Sequence, residues 1–265
     1  AKDRPDIILV RFWIPFMGPV LGTILRLVRK NKHTRIIGLA DNIIPHEKRP
    51  GDKPFTKYFL GSCDAFITMS EKVMSDLRSI EKSKPAQLVA HPLYDNFGAA
   101  IAKDVAREKL GIDKKDKVIL FFGFIRKYKG LDILLEAMAD ARIKEAGIKL
   151  LVAGEFYEDE KAYQEQIDRL GIRSQLIMRT QFIPDSEVVL YFCAADVVIQ
   201  PYRNATQSGV TPLAYHYEKP MIVTNVGGLP AMVPDRKSGL VAAVQPMAIA
   251  SAILEFYELG EEFFI

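Results

Sequence analysis

Nine short apolar runs, each unalternating and most of them followed by an amphipathic stretch, leave this 265-residue chain little choice of architecture. The runs are Ile7–Val10, Ile36–Leu39, Ala65–Met69, Gln87–Ala90, Val118–Phe122, Lys149–Ala153, Val197–Gln200, Met221–Thr224 and Leu240–Ala243. Each is bounded by Gly, Pro, Asp or Asn, as strands buried on both faces are. Between them lie helical patterns. Leu131, Leu134, Leu135 and Met138 form one apolar stripe, and Val20, Leu21, Ile24, Leu25 and Val28 form another. Strands alternating with helices build right-handed crossover units and parallel sheets, so the fold class is α/β.

The chain has room for more than one such sheet. A break falls near residues 92–116, where Pro92-Leu93-Tyr94-Asp95-Asn96-Phe97-Gly98 reads as a linker and Asp113-Lys114-Lys115-Asp116-Lys117 as a solvated loop. We therefore expect two Rossmann-like domains, residues 1–97 and 98–265, with the first incomplete. Ala1-Lys2-Asp3-Arg4-Pro5-Asp6 leads straight into the first run and a helical pattern stops at Phe264-Ile265, so both ends are expected to be cut. In sheets of this kind ligands bind beyond the carboxyl ends of the strands, and in a two-domain protein the cleft is the expected place.

Composition narrows the function classes. A 49% hydrophobic and 26% charged chain is neither disordered nor collagenous, and a net charge of +3 is too weak an excess to imply nucleic acid. Cys63 and Cys193 match no metal-ligand or redox spacing, which points to a reducing, intracellular (cytoplasmic) setting. No apolar run reaches membrane-spanning length and no signal peptide is visible.

Three loops carry the candidate chemistry. In Gly123-Phe124-Ile125-Arg126-Lys127-Tyr128-Lys129-Gly130, a glycine permits a sharp exit from the strand, and three cations precede a helix. Cations, free backbone N–H groups and a helix dipole together suit a diphosphate, although solvated loop charges would read the same way. After the strand Val197–Gln200 comes Pro201-Tyr202-Arg203-Asn204-Ala205-Thr206-Gln207-Ser208-Gly209-Val210. Here a helix expected to start near 206–208 would face an anion, or would simply be N-capped. In Thr224-Asn225-Val226-Gly227-Gly228-Leu229-Pro230, paired glycines allow either a close ligand approach or a plain turn.

Taken in order, these segments resemble glycosyltransferase family 4, the glycosyl transferases group 1 with the GT-B fold. Asp64 to Glu71, Gly123 to Leu135, Val152-Ala153-Gly154-Glu155, Phe182-Ile183-Pro184, Ala194-Ala195-Asp196, Gln200-Pro201-Tyr202 and Val226 to Leu240 follow the family's order. The resemblance implies a metal-independent, retaining transferase of hexosyl type, with no cofactor. It would move a sugar from a nucleotide-diphosphate-sugar donor to an acceptor hydroxyl, glycan or lipid-linked. Arg126 and Lys129 would clamp the donor diphosphate. Gly123, Glu155, Tyr202, Thr206, Gln207, Ser208, Gly209 and Val210 would line the donor site. His46, in a loop after the second strand, would contact the donor sugar or move a proton; a loop histidine without a role is the alternative.

The chain departs from the family pattern at Phe124, where an Arg usually follows the Gly, at Ala40, where a cleft His is usual, and at three acidic positions. The usual glutamates around the second loop are replaced by Ala205 and Leu213, and a third acidic position by Ala231. Missing carboxylates remove hydrogen bonds to sugar hydroxyls, which motivates a rival reading as a non-catalytic GT-B-like binding or scaffold protein. A sugar-nucleotide epimerase is a further rival, but it needs acid and base carboxylates that cannot be placed. The segment Phe12-Trp13-Ile14-Pro15-Phe16-Met17 beside Arg26, Arg29, Lys30 and Lys32 fits peripheral contact with an anionic membrane face. A helix packed on its sheet with a solvated basic face is the expected reading.

Overall fold

The computed structural model describes residues 4–45, 49–89, 94, 97–205 and 208–264. Two compact units emerge, Ala1–His91 and Pro92–Ile265, where the sequence reading divides the chain between residues 97 and 98. Among the described residues, ten strands form two sheets, and every pairing is parallel.

In the first unit β1 (Ile7–Phe12), β2 (Arg35–Ala40), β3 (Ala65–Thr68) and β4 (Ala86–Leu88) lie side by side in chain order. Alternate residues of a strand point to opposite faces. Phe12, Ile36 and Phe66 pack with Leu25, Phe59 and Leu77 from the helices Gly18–Arg29, Asp52–Leu60 and Glu71–Ile80. Phe12 and Phe59 stack with ring centroids 4.2 Å apart. Ile7 and Leu9 point the other way and are exposed.

The basic face expected on the first helix is exposed at Arg29, Lys30 and Lys32, while Arg26 is half-buried. The Arg26 guanidinium lies 3.8 Å from the centre of the Tyr58 ring and donates to the carbonyls of Gly22 and Tyr58. Arg29 pairs with Asp64. The helix also turns apolar residues to solvent: Val20, Ile24 and Leu27 are exposed. Arg26 thus fastens one helix to the next, and Arg29 reaches the residue before β3. No helix among the described residues is long and apolar enough to cross a membrane.

The second unit holds β5 (Lys117–Phe122), β6 (Ile148–Ala153), β7 (Leu176–Arg179), β8 (Val197–Gln200), β9 (Met221–Thr224) and β10 (Gly239–Ala242). Their order across the sheet is β10-β9-β8-β5-β6-β7. The chain therefore builds outward from β5 in one direction, returns, and builds outward from β8 in the other. This is the doubly wound order, whose switch point lies between β5 and β8. Both faces are covered, which explains the unalternating runs. Ile119 and Phe121 join one core, with Leu134 and Phe256; Val118 and Leu120 join the other, with Phe192 and Leu213.

Strand β7 is absent from the nine runs expected from sequence. All four of its residues are half-buried at the sheet edge, and its short apolar stretch ends in Arg179.

A buried polar cluster ties down the amino ends of the central strands. Asp196, just before β8, accepts from the Val118 backbone N–H at 2.8 Å, from Arg107 at 2.9 Å and from Lys103 at 2.9 Å. The Tyr257 hydroxyl donates to it as well, at 3.1 Å. Burial and this carboxylate push the Tyr257 phenol far above its ordinary value, so it acts as a neutral donor. Arg107 is almost wholly buried and also donates to the carbonyls of Ala194 and Lys114. Removing one member of a buried ion pair leaves the other uncompensated. Asp196→Ala is expected to destabilise the second unit by about 3 kcal/mol. Guanidinium denaturation would show this as a lower midpoint at unchanged slope, and an unshifted midpoint would refute the cluster's role.

Candidate active site

The carboxyl ends of β5 and β8 flank the switch point, and the loops that leave them meet there. The chain exits β5 through Gly123 (φ +98°), makes a short helical turn over Lys127–Lys129, and enters the helix Leu131–Met138 through Gly130 (φ +69°). Gly130 is where the two loops touch: a β-carbon there would stand 2.0 Å from the carbonyl oxygen of Pro201. Only glycine permits that approach in that backbone region. The contact is reinforced by the Arg203 N–H, which donates to the Tyr128 carbonyl at 2.7 Å, and by an ion pair between Arg203 and Asp132.

This junction presents Lys129. Its ammonium occupies the space a β-carbon on Gly123 would fill, 2.9 Å from that position, and lies 5.7 Å from the centre of the Tyr202 ring. Val210 borders the same space. Among the described residues no carboxylate pairs with the Lys129 ammonium. Burial pulls its pKa below the ordinary lysine value; Tyr128 opposes that pull and the charge of Arg126 reinforces it. A half-buried cation beside a second cation, at a strand's carboxyl end, has the charge and the position to receive an anion.

The structure also places the other candidates. Arg126 is exposed, its guanidinium carbon 4.9 Å from the centre of the Tyr157 ring. Tyr157 in turn packs against Phe124 at 4.5 Å. Glu155 is half-buried, and its carbonyl accepts from the Ile125 N–H at 2.7 Å, fixing the loop that carries Arg126. Tyr202 and Ser208 are buried with their hydroxyls 3.3 Å apart, and Ser208 also accepts from the Val210 N–H. Burial raises the Tyr202 phenol to about 12. The helix that follows spans Val210–His216 with Gly209 as its N-cap, later than the expected start. His46, Thr206 and Gln207 lie outside the described residues.

Gly123, Lys129, Tyr202, Ser208 and Val210 thus converge, Gly209 leads into the same helix, and Arg126 stands on an aromatic platform beside them. Sequence reading missed Tyr157, Arg203 and Asp132. Only the spacing of aromatics after a strand end hints at Tyr157, and nothing local announces an ion pair between residues of two loops. The departures from the family pattern are also placed. Leu213 is buried in the core, Ala231 is exposed, and Ala205 is buried with its carbonyl held under Gly227 (φ +54°).

A family model described as glycosyl transferases group 1 matches residues 102–262. The chain belongs to that family. Among curated proteins it is similar to the D-inositol 3-phosphate glycosyltransferase of Corynebacterium urealyticum, 35% identical over 204 residues. That match covers 72% of this chain and 48% of the relative. The same-named protein of Segniliparus rotundus is 33% identical over 142 residues, covering 52% of this chain and 31% of the relative. The chain therefore spans about a third to a half of the length of these relatives. Among solved structures, sucrose-phosphate synthase from Thermosynechococcus elongatus matches 96% of this chain and 65% of its own, with TM-score 0.80 and 17% identity. Anabaena HepE in complex with UDP matches 96% and 69%, with TM-score 0.80 and 16% identity. At such identities the likeness concerns the fold, which is that of GT-B glycosyltransferases.

The site of this group 1 glycosyl transferase carries an energetic cost that can be measured. A lysine with a depressed native pKa holds its proton less tightly folded than unfolded. The native state is therefore penalised below that native pKa, and the penalty fades as pH rises toward the ordinary 10.5. Lys129→Met is expected to melt higher than the parent at pH 7, with the difference shrinking as pH approaches 10.5. Thermal denaturation across that range tests it, and a variant melting lower at pH 7 would refute the buried-charge reading.

Proposed function

We propose that this chain carries the donor-binding machinery of a retaining glycosyltransferase. It takes a sugar from a nucleotide-diphosphate donor and gives it to an acceptor hydroxyl, glycan or lipid-linked, with no bound metal. The observation that carries the reading is Lys129, a half-buried lysine that has no carboxylate partner among the described residues, at the switch point between β5 and β8. A diphosphate supplies the missing anion. As the glycosidic bond to the leaving group breaks, negative charge grows on the diphosphate, and cations already in place stabilise it without reorganising. In this reading Lys129 binds that charge from within and Arg126 from the solvent side. The glycine exits let the chain come close, and the segment 208–210 holds the remainder of the donor. HepE in complex with UDP and in complex with UDP-glucose supports a nucleotide-sugar donor. The names of the curated relatives support transfer to an acceptor hydroxyl.

One observation favours a second reading, binding without turnover. Ala205 and Leu213 are buried among apolar neighbours where the family resemblance leads one to expect carboxylates. Such a chain would hold a nucleotide and transfer nothing.

The first experiment is thermal denaturation of the chain with UDP, GDP, ADP and CDP, alongside Arg126→Ala and Lys129→Ala. A nucleotide at 100 times its dissociation constant stabilises by about 2.7 kcal/mol, a shift of roughly 5–10 °C for a unit of this size. We expect one nucleotide to give that shift and Lys129→Ala to abolish it. No shift with any of the four removes the donor-site assignment. Where binding is present, incubation with the matching sugar nucleotide separates the two readings. An anomerically retained product supports transfer, and binding with no product supports the second reading.

A further inference from the structure

The first unit contains a cavity of about 500 Å³ that the donor machinery does not use. It lies between the loop after β2, the first turns of the helix Asp52–Leu60 and the last turn of the helix Glu71–Ile80. Its size is that of a small-molecule site, for which the usual range is roughly 300–1,000 Å³. The lining is mostly apolar, with Ile43 and Ile80 among its walls. Thr56 also lines it, and this hydroxyl is the telling group. Thr56 is 1% exposed and its Oγ1 has no hydrogen-bond partner. A buried hydroxyl left unsatisfied is costly and rare, and one that lines a cavity calls for an occupant with an oxygen or a donor to offer.

Charge narrows the occupant. Arg49 and Lys53, both exposed, stand on the lining, and the amino end of the helix Asp52–Leu60 adds partial positive charge. The acidic member of the lining, Asp52, is engaged by the Arg49 backbone N–H at 2.6 Å. The cavity is thus apolar within, carries one unpaired hydroxyl, and has two cations at its exposed side.

We propose that this cavity binds a single-chain amphiphile with a phosphate head. The phosphate meets Lys53 at the amino end of the helix Asp52–Leu60, the chain lies against Ile43 and Ile80, and the Thr56 hydroxyl donates to an oxygen of the head group. The inference does not rest on sugar transfer, since it concerns residues of the first unit alone.

The test uses the whole chain and decyl phosphate below its micelle concentration, with inorganic phosphate and decanol as separate arms. Calorimetry and isoleucine-methyl NMR give affinity and place. We expect saturable 1:1 binding of decyl phosphate, with shifts at the Ile43 and Ile80 methyls, and weaker binding of either half alone. Lys53→Gln should weaken it about tenfold, and Thr56→Val about fivefold. Thr56→Val removes an unsatisfied hydroxyl at constant shape, so it should melt no lower than the parent, which separates lost binding from lost folding. UDP affinity should be the same in both variants.

Absence of saturable binding overturns the proposal, as does binding that neither substitution weakens. Decanol binding as tightly as decyl phosphate would make the cavity a merely apolar one. Inorganic phosphate binding as tightly would make it a small-anion site. Co-sedimentation with phosphatidylglycerol vesicles, lost in Lys53→Gln while decyl phosphate is ignored, would assign the cations to a membrane surface instead.

Discussion

The contact of the Gly130 backbone with the Pro201 carbonyl is the constraint on which the candidate site depends. Gly130 ends the turn that carries Lys129, caps the helix Leu131–Met138, and lets the loop from β5 press against the loop from β8. Those two strands neighbour each other in space but lie far apart in sequence, with β6 and β7 made in between. Doubly wound topology thus creates the crevice, and a residue without a side chain allows its walls to close. Gly227 repeats the device one strand further on, under the Ala205 carbonyl, and the Thr224 hydroxyl donates to the Tyr202 carbonyl at 2.6 Å. Close backbone approaches at Gly130 and Gly227, with the Thr224 hydroxyl and the Arg203–Asp132 pair, hold the three loops together.

The two ends of the second sheet treat charge in opposite ways. At the amino ends Asp196 gathers Arg107, Lys103, Tyr257 and a backbone N–H, and Lys103 also pairs with Glu261, so each cation has a carboxylate. At the carboxyl ends Lys129 is half-buried with Arg126 as its charged neighbour, and among the described residues no carboxylate pairs with it. Paired charge contributes to the folded state, whereas unpaired charge detracts from it until an anion arrives. A fold under selection for stability alone would have no reason to keep the second arrangement, and that contrast is what makes the carboxyl end of the sheet the candidate ligand end.

Much of this was legible in the sequence, and the failures have physical causes. Strands β5, β6, β8 and β9 are covered on both faces, so nearly every residue is apolar and the runs stand out. Strand β7 is an edge, half-buried throughout, and its three apolar residues give no such signal. Gly123, Arg126 and Lys129 could be named because glycine and cations at a strand exit are local features. The Arg203–Asp132 pair could not, since it spans two loops that only the topology brings together. Arg26 misled for a related reason. Periodicity tells which residues share a helix face, but not that a neighbouring tyrosine will take the guanidinium out of solvent.

The apolar residues at 205 and 213 bear on what this donor site can select. Carboxylates that grip sugar hydroxyls act on the substrate and the transition state alike, and they chiefly set which sugar is held. Cations against the diphosphate act most strongly as charge builds on the leaving group, and they chiefly set the rate. With Ala205 and Leu213 packed into the core, the first contribution is absent at those positions, while on the proposed reading Lys129 and Arg126 would supply the second. On the proposed reading the chain therefore recognises its donor by the nucleotide and diphosphate more than by the sugar. Its affinity for a nucleoside diphosphate would lie close to that for the corresponding sugar nucleotide, because the sugar adds few hydrogen bonds of its own.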